Sequence, residues 1–497
     1  MNRTIPLILA VALFMEQMDS TVIGTSLPAI AADIDTSPIA LKLALTAYLV
    51  SIAIFIPLSA WMADRFGAKR VFCAAIGVFM IGSIACAFAN SLEAFVVSRF
   101  LQGMGGSMMT PVARLVLVRT TAKSELVSAM AWLTIPALVG PLVGPPVGGF
   151  ITTYISWHWI FLINVPIGLA GIAAAWIHLP EIDVNAPGTI DFKGFVLAGL
   201  AASGVVFGLS VVSLPALPPL VGLATLVVGL AAGALYLVHA RRIANPILDP
   251  ALFANPIFRA AISGSSLFRI GAGAIPFLLP LMFQLGFGMT PFQSGLLTFT
   301  GAFGAIGMKF MARSTLQRGG FRTVLVMAAV GGAVFIAAIA LFTPQTPVWA
   351  IIAVLVAGGV LRSLFFTSAN ALVFADLDDS QAGQATAIAA VSQQISIALG
   401  VAIAGAILEA FAHFAAGTLE LAAFSTAFVI VALITAIAAL PFAALSADAG
   451  NAVSGHRIGG DNSRTGVTPL AAAYPASPTS SSAPPSSERP LKSRASK

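Results

Sequence analysis

Long apolar runs separated by short polar turns fill almost the whole chain. Fourteen can be placed, near residues 5–30, 41–62, 71–89, 94–119, 127–153, 157–179, 192–213, 217–239, 258–285, 292–313, 322–342, 347–370, 384–411 and 420–445. Crossing a bilayer as a helix takes about 20 predominantly apolar residues, and these runs are of that length. The pattern predicts an all-α polytopic membrane protein with about fourteen transmembrane helices. From residue 446 it collapses into Ser, Pro, Ala and scattered charge, as in Ser477–Arg489. That composition cannot bury a core and predicts a disordered, solvated tail over 447–497.

Composition excludes the soluble alternatives. Hydrophobic residues make up 58% of the 497 and charged residues only 9%, with a mean hydropathy of +0.96. A soluble domain carries about 25% charged residues, so this chain could not cover a water-facing surface. The net charge of +6 reads as loops held against anionic lipid rather than as a nucleic-acid surface. The lipid bilayer is thus a partner, and nucleic acid is not.

The basic residues fix an expected orientation. With the N-terminus inside, the cytoplasmic turns hold Arg65, Lys69, Arg70, Arg119, Lys123, Lys193, Arg241, Arg242, Arg259, Arg313, Arg318 and Arg322. The opposite turns hold almost none, Lys42 being the exception. By the positive-inside rule both termini are cytoplasmic. Ala63–Arg70 and Gln317–Arg322 both place Gly between basic residues in a short cytoplasmic turn, a weak internal repeat. Two halves of six helices follow, at 1–180 and 257–446, with linkers and an inserted two-helix hairpin at 181–256. Repeated halves of this kind place a substrate site between them near the midplane.

Three segments carry unusual chemistry. In the first span, Glu16 and Asp19 are three residues apart and share a helix face. Two carboxylates close together in a low dielectric do not both carry charge easily, the property a proton carrier needs. The bland alternative is a pair neutralised by arginine or hydroxyl partners. In the fourth span Arg99 lies inside an apolar run, in Ser98–Gly106. A buried arginine needs a partner or a wet cavity unless it snorkels to the interface. In the fifth span, Gly140–Gly149 reads GPLVGPPVGG; its prolines kink a helix and its glycines admit a second backbone.

Taken together, these segments resemble the major facilitator superfamily, specifically its 14-span drug:proton antiporter family, over about residues 5–445. Asp64, Arg65, Gly67 and Lys69 are similar to the family's loop signature between spans two and three, although Ala60 and Ala68 depart from it. Arg99, Gln102, Gly103 and Gly105 match the span-four signature, and Asp19, Thr21, Leu27 and Pro28 the span-one pattern. Gly140, Gly144, Pro145, Gly148 and Gly149 match the antiporter signature. Trp157–Gly168 and Met108–Arg119 are most similar to the MdtD-type multidrug-resistance branch.

The resemblance implies a proton-coupled antiporter that exports small molecules across a bacterial inner membrane by alternating access. Asp19, Glu16 and Arg99 would couple protons. The loop of Asp64, Arg65, Gly67 and Lys69 would lock the cytoplasmic side against the opposite half, and the span-five string would seal the two halves. The partners are then a small-molecule substrate and protons. A monomer is expected, with no enzyme activity, cofactor or metal.

The second half adds Arg269 and Arg362 inside apolar runs, with Gln284, Gln393 and Gln394 as further polar lining for a substrate cavity. Lipophilic cations favour acids and aromatic faces. Two intramembrane arginines point instead to organic anions or metal chelates such as carboxylates, unless they are salt-bridged or snorkel. A non-transporting sensor or scaffold is the remote alternative, and it leaves the buried charges without a purpose.

Overall fold

The computed structural model describes residues 3–122, 125–181, 190–212, 214, 217–378, 381–414, 420–454 and 456. The chain from 457 onward, most of the expected tail, lies outside the described residues, as does Lys123. The fold is helical. Helices α1 (Thr4–Val22), α2 (Lys42–Phe66), α3 (Ala68–Ala87), α4 (Leu92–Thr120), α5 (Leu126–Tyr154) and α6 (Trp159–His178) form the first half. The hairpin is α7 (Phe192–Val212) and α8 (Pro219–Ala240), and α9 (Pro256–Leu281) follows. One helical stretch, Pro291–Ile339, is broken at Gly320 (φ 67°, ψ 168°) into α10 (291–319) and α11 (321–339). Then come α12 (Val348–Leu372), α13 (Ala382–Phe414) and α14 (Leu421–Ala443).

Eleven of the described helical stretches are long and apolar enough to cross a membrane, the α10–α11 stretch counting once. Helices α4 and α5 add 29 residues each, so the arrangement is consistent with fourteen crossings. Proline decides where two expected runs break, because it lacks an N–H and disfavours helix in the residue before it. The first run stops at Val22, passes through a tight turn at Ile23–Thr25, and restarts as Leu27–Asp33 with Pro28 at its start. In α2 a tight turn at Ile56–Leu58 holds Pro57.

The basic turns fall at one end of the bundle, termed the basic end, and the turn holding Lys42 lies at the far end. The core is distributed unequally between them. At the far end a single core joins both halves, with Val22, Leu27, Leu41 and Phe95 from one and Phe277, Phe283, Leu408 and Phe428 from the other. At the basic end there are two separate cores. One holds Leu9, Phe72, Met109 and Val116, all from the first half; the other holds Phe258, Phe321, Phe365 and Phe442, all from the second. The hydrogen bonds that cross between the halves among the described residues follow the same rule. Gln284 Nε2 donates to the Thr25 carbonyl at 3.0 Å, Phe292 N to Thr153 Oγ1 at 3.1 Å, and Lys42 to Glu409. All three lie at the far end.

The hairpin helices meet through small residues, Gly204 against Gly229 and Gly208 against Leu226. Val206 of α7 packs on Val50 of α2 and Ala398 of α13, while Val227 of α8 is exposed. At the basic end Asp191 fastens the hairpin. It accepts from His239 Nε2 at 2.7 Å and from the Gly194 and Ile247 amides at 2.8 and 3.4 Å. Burial pushes the Asp191 carboxyl up, but these donors together hold it below the usual carboxylate range. The first residues of the expected tail fold back on the bundle. Asn451–Ser454 forms a helical turn, Gly450 (φ 70°) packs against Phe321 and Leu372, and the His456 ring nitrogen Nδ1 meets the Gln317 carbonyl at 2.9 Å.

Candidate functional site

The chemistry-bearing residues of the first half converge on one buried network. Asp19 comes from α1, Ser83 from α3, Arg99 and Gln102 from α4 and Asn164 from α6, and none of the five is more than 1% exposed. Each sits in an apolar run, where an unpaired polar group costs several kcal/mol, so they must find one another. Arg99 Nη1 donates to Asp19 Oδ2 at 2.7 Å and also to Gln102 Oε1. Asp19 Oδ1 accepts from Gln102 Nε2 at 2.8 Å and from Asn164 Nδ2 at 3.0 Å. Ser83 Oγ is shared by Gln102 at 2.6 Å and Asn164 at 3.0 Å. The guanidinium lies 4.1 Å from the centre of the Tyr48 ring and 5.8 Å from that of Phe161. Three polar atoms here lack a partner: Arg99 Nε, Asn164 Oδ1 and the Tyr48 hydroxyl. Snorkelling is therefore overturned for Arg99, and its partner is the acid read in span one.

Glu16 stands apart from this network, one turn toward the basic end. It is buried and accepts from Thr110 Oγ1 at 2.8 Å. Arg114, exposed one turn further along α4, is within electrostatic reach. Arg99, Gly106 and Thr110 of α4 meet side chains of α1, while Gly103 packs on Tyr48 and Ser51 of α2. The two carboxylates thus share a helix face but not a binding partner.

The fifth-helix string serves two contacts. Gly140, Gly144 and Gly148 recur every four residues and face α1. A Cβ at Gly140 would lie 2.9 Å from the Phe14 carbonyl, and one at Gly144 would run into the Thr21 side chain. Gly149, against Pro291, and the Pro145 carbonyl, against Gly295, meet the other half, where α5 packs along α10. The string therefore lies between α1 of its own half and α10 of the other.

The basic loop ties its own half together. Gly67, at φ 89°, ends α2 and turns the chain into α3. Asp64 accepts from Arg119 Nη2 of α4 at 2.7 Å. Lys69 Nζ lies 3.7 Å from Glu181 and 5.4 Å over the Trp176 ring of α6, while Arg65 is exposed. The contacts expected with the opposite half are absent among the described residues, because at this end the two cores are separate.

In the second half, Arg269 Nη2 donates to Asn370 Oδ1 at 3.0 Å, and its guanidinium lies 4.5 Å over Phe366. Arg362 has neither an acid nor a hydrogen-bonding partner among the described residues. Arg362, Phe366 and Asn370 are spaced by four and lie on one face of α12. The salt bridges considered for these arginines are not formed among the described residues. Gln393 and Gln394 are half-buried on α13. Gln284 belongs elsewhere, since its amide is taken by Thr25 in the far-end closure.

Sequence reading did not single out Ser83, Asn164, Thr110, Arg114, Asn370 or Glu409. Asn164 and Glu409 had a usable signal, a polar or acidic residue inside an apolar run. Ser83 and Thr110 had none, because hydroxyls are common in membrane helices.

The fold and this network define a polytopic helical membrane protein built as two six-helix halves, with buried ionisable groups in one and a shared closure at one end. A family model described as Major Facilitator Superfamily matches residues 9–258 and 261–476. The chain is 36% identical over 415 residues to “Putative multidrug resistance protein MdtD” of Pectobacterium carotovorum subsp. carotovorum (strain PC1), covering 83% of this chain and 89% of the relative. Among solved structures, the nucleoside transporter NupG aligns with a TM-score of 0.61 at 15% identity, over 89% of this chain and 98% of that one. A D-xylose-proton symporter aligns with a TM-score of 0.62 at 15% identity, over 87% and 96%. The chain belongs to the Major Facilitator Superfamily.

Proposed function

We propose that the protein is a proton-coupled antiporter that exports small molecules, drugs or other toxic compounds, across the bacterial inner membrane by alternating access. The observation that carries this reading is the buried Asp19–Arg99–Gln102 network lying beneath a closed far end, with Glu16 one turn toward the end where the cores separate. A carboxylate held by a guanidinium in a dry interior can exchange that partner for a proton when the surroundings rearrange. Taking the basic end as cytoplasmic, this conformation is closed to the outside. Glu16 is then the carboxylate nearer the cytoplasm and Asp19 the one that the far-end closure covers. The halves 1–180 and 257–446 would rock about the midplane, with the hairpin 181–256 at the periphery and the tail 447–497 cytoplasmic. The name of the Pectobacterium relative supports drug export.

A second reading, export of organic anions or metal chelates, is favoured by Arg269 and Arg362. Both lie about 20 Å along their helices, near the bilayer centre, with no carboxylate set against them. An anionic substrate would supply the missing counter-charge.

Reconstituted protein tests both readings. Acid-interior vesicles should release protons when a lipophilic cation is added if the first holds, and when a carboxylate is added if the second holds. No substrate-dependent proton flux with either class would remove the antiporter reading and leave the sensor or scaffold.

A further inference from the structure

The far-end closure is held mostly by apolar contacts and neutral hydrogen bonds. One contact differs. Lys42, at the start of α2, donates to Glu409, a little over one turn before the far end of α13. The lysine is fully buried and the glutamate 6% exposed. The site is shaped for this pair. Gly405, one turn before Glu409, leaves space that the Lys42 stem occupies, and a Cβ there would run into the Lys42 Cδ. A basic residue on this side of the membrane runs against the charge asymmetry of every other turn, which the need for a cationic partner to Glu409 explains.

We propose that Glu409 is a further proton-coupling residue, acting at the outer gate: its ion pair with Lys42 latches the two halves shut, and a proton arriving from the outer side releases the latch. This rests on the antiport reading and adds a step to it. The physical basis is the difference between the two states. In the closed state each charge is out of water and is stabilised by the other. In the open state both are hydrated and the pair is worth little. Protonating Glu409 removes this ion pair from the closed state, so the closed state loses stability relative to the open one. An exporter driven by protons from outside needs its outer gate to open under that condition.

The other titratable groups around Glu409 are few. Its own helix carries His413 one turn on, exposed. Of the helices packed on α13, α2 contributes Lys42 and, further inside, Tyr48. Helix α9 carries Arg269 and, at its opposite end, Arg259; α2 carries Asp64 and Arg65 at its opposite end, and α7 carries Lys193 at its own. Helix α14 brings Glu420 at its exposed start.

Spin labels at Ser37 and Gln345, exposed turns at the far end of the two halves, in a Cys73→Ala/Cys86→Ala background, would read the gate as a distance. Measurements would be made without substrate or proton gradient, at about pH 7.5 and about pH 5.5, spanning the neutral operating range of a proton carrier. The parent should gain a longer-distance population as pH falls. Glu409→Gln should favour that population at both pH values, by roughly tenfold or more, the scale of breaking a buried pair. Lys42→Met/Glu409→Gln, which leaves no charge behind, should lose the pH response, and His413→Gln should keep it. The reversed pair Lys42→Glu/Glu409→Lys should close the gate again at about pH 7.5, which separates a latch from a folding defect. A doubly neutral variant that opens in acid as the parent does would overturn the proposal, as would a parent that does not respond to pH. A parent that opens in acid yet drives no proton-coupled export would leave the latch standing and remove the antiport reading.

Discussion

Arg99 of α4 and Asp19 of α1 form a salt bridge at 2.7 Å with neither side chain more than 1% exposed, eighty positions apart in the chain. Breaking such a pair by removing one partner costs about 3–5 kcal/mol, because the other charge is left dry. The pair therefore bears on stability as well as on the proposed coupling, and an experiment must separate the two.

Asp19→Asn keeps the shape and most of the hydrogen bonds but removes the titrating charge. Proton-driven efflux from inverted vesicles should fall to background between about pH 6 and about pH 8, around the neutral operating range of a proton carrier. Substrate binding to the purified variant, measured by fluorescence or calorimetry, should persist. Efflux equal to the parent across that range would remove Asp19 from the coupling step.

Arg269→Gln and Arg362→Gln decide between substrate classes. At ~6 Å and an effective dielectric of ~20, a guanidinium repels a cationic drug by ~3 kcal/mol. That is about a hundredfold in affinity. If anions are the substrates, these variants should lose carboxylate export and spare lipophilic cations. Equal loss of both, with less protein in the membrane, would assign the arginines to helix packing around Phe366 and Asn370.

Gly144→Ala puts a methyl group into the Thr21 side chain where α5 crosses α1. Overpacking of this kind costs about 1–3 kcal/mol. Transport should drop, and the midpoint of thermal unfolding in detergent should fall. Thr21→Ala, by removing the hydroxyl that the new methyl group would meet, should restore part of the loss. No change in either measurement would mean that the two helices are looser here than the close approach implies.

Asp191 gives a pH-dependent prediction outside the membrane. Its carboxyl is held below the usual range in the folded chain. Its stabilising contribution is therefore present above the unfolded value of about 3.9 and is lost as pH falls through the lower folded value. Asp191→Asn removes that contribution at neutral pH. Charge-assisted hydrogen bonds are worth about 1.5–3 kcal/mol, so proteolytic cleavage after Arg241 or Arg242 should speed up by roughly tenfold. Unchanged cleavage at neutral pH would show that the linker is held by Tyr236 and Gln384 instead.

Much of the site could be read before folding was considered. Asp19, Arg99 and Gln102 are polar residues in apolar runs, and the cost of burying them alone marks them as partners. What could not be read was who pairs with whom. Asp19 and Glu16 look equivalent on a helical wheel, yet one accepts from three side chains and the other meets a threonine and faces Arg114. Asp64 looked like a contact to the other half, but its partner is Arg119, because the halves do not share a core at that end.

The sequence by itself determined that this is a membrane protein of about fourteen helices with basic turns on one side, because those properties depend only on local hydropathy, length and charge. It also determined that certain charges must be paired, since desolvation is costly wherever the chain places them. Only the tertiary structure decided which end is closed, which of the glycine string's contacts cross the halves, and that Lys42 meets Glu409 from 367 positions away. Those outcomes depend on how helices remote in the chain pack against one another, and no local pattern records that.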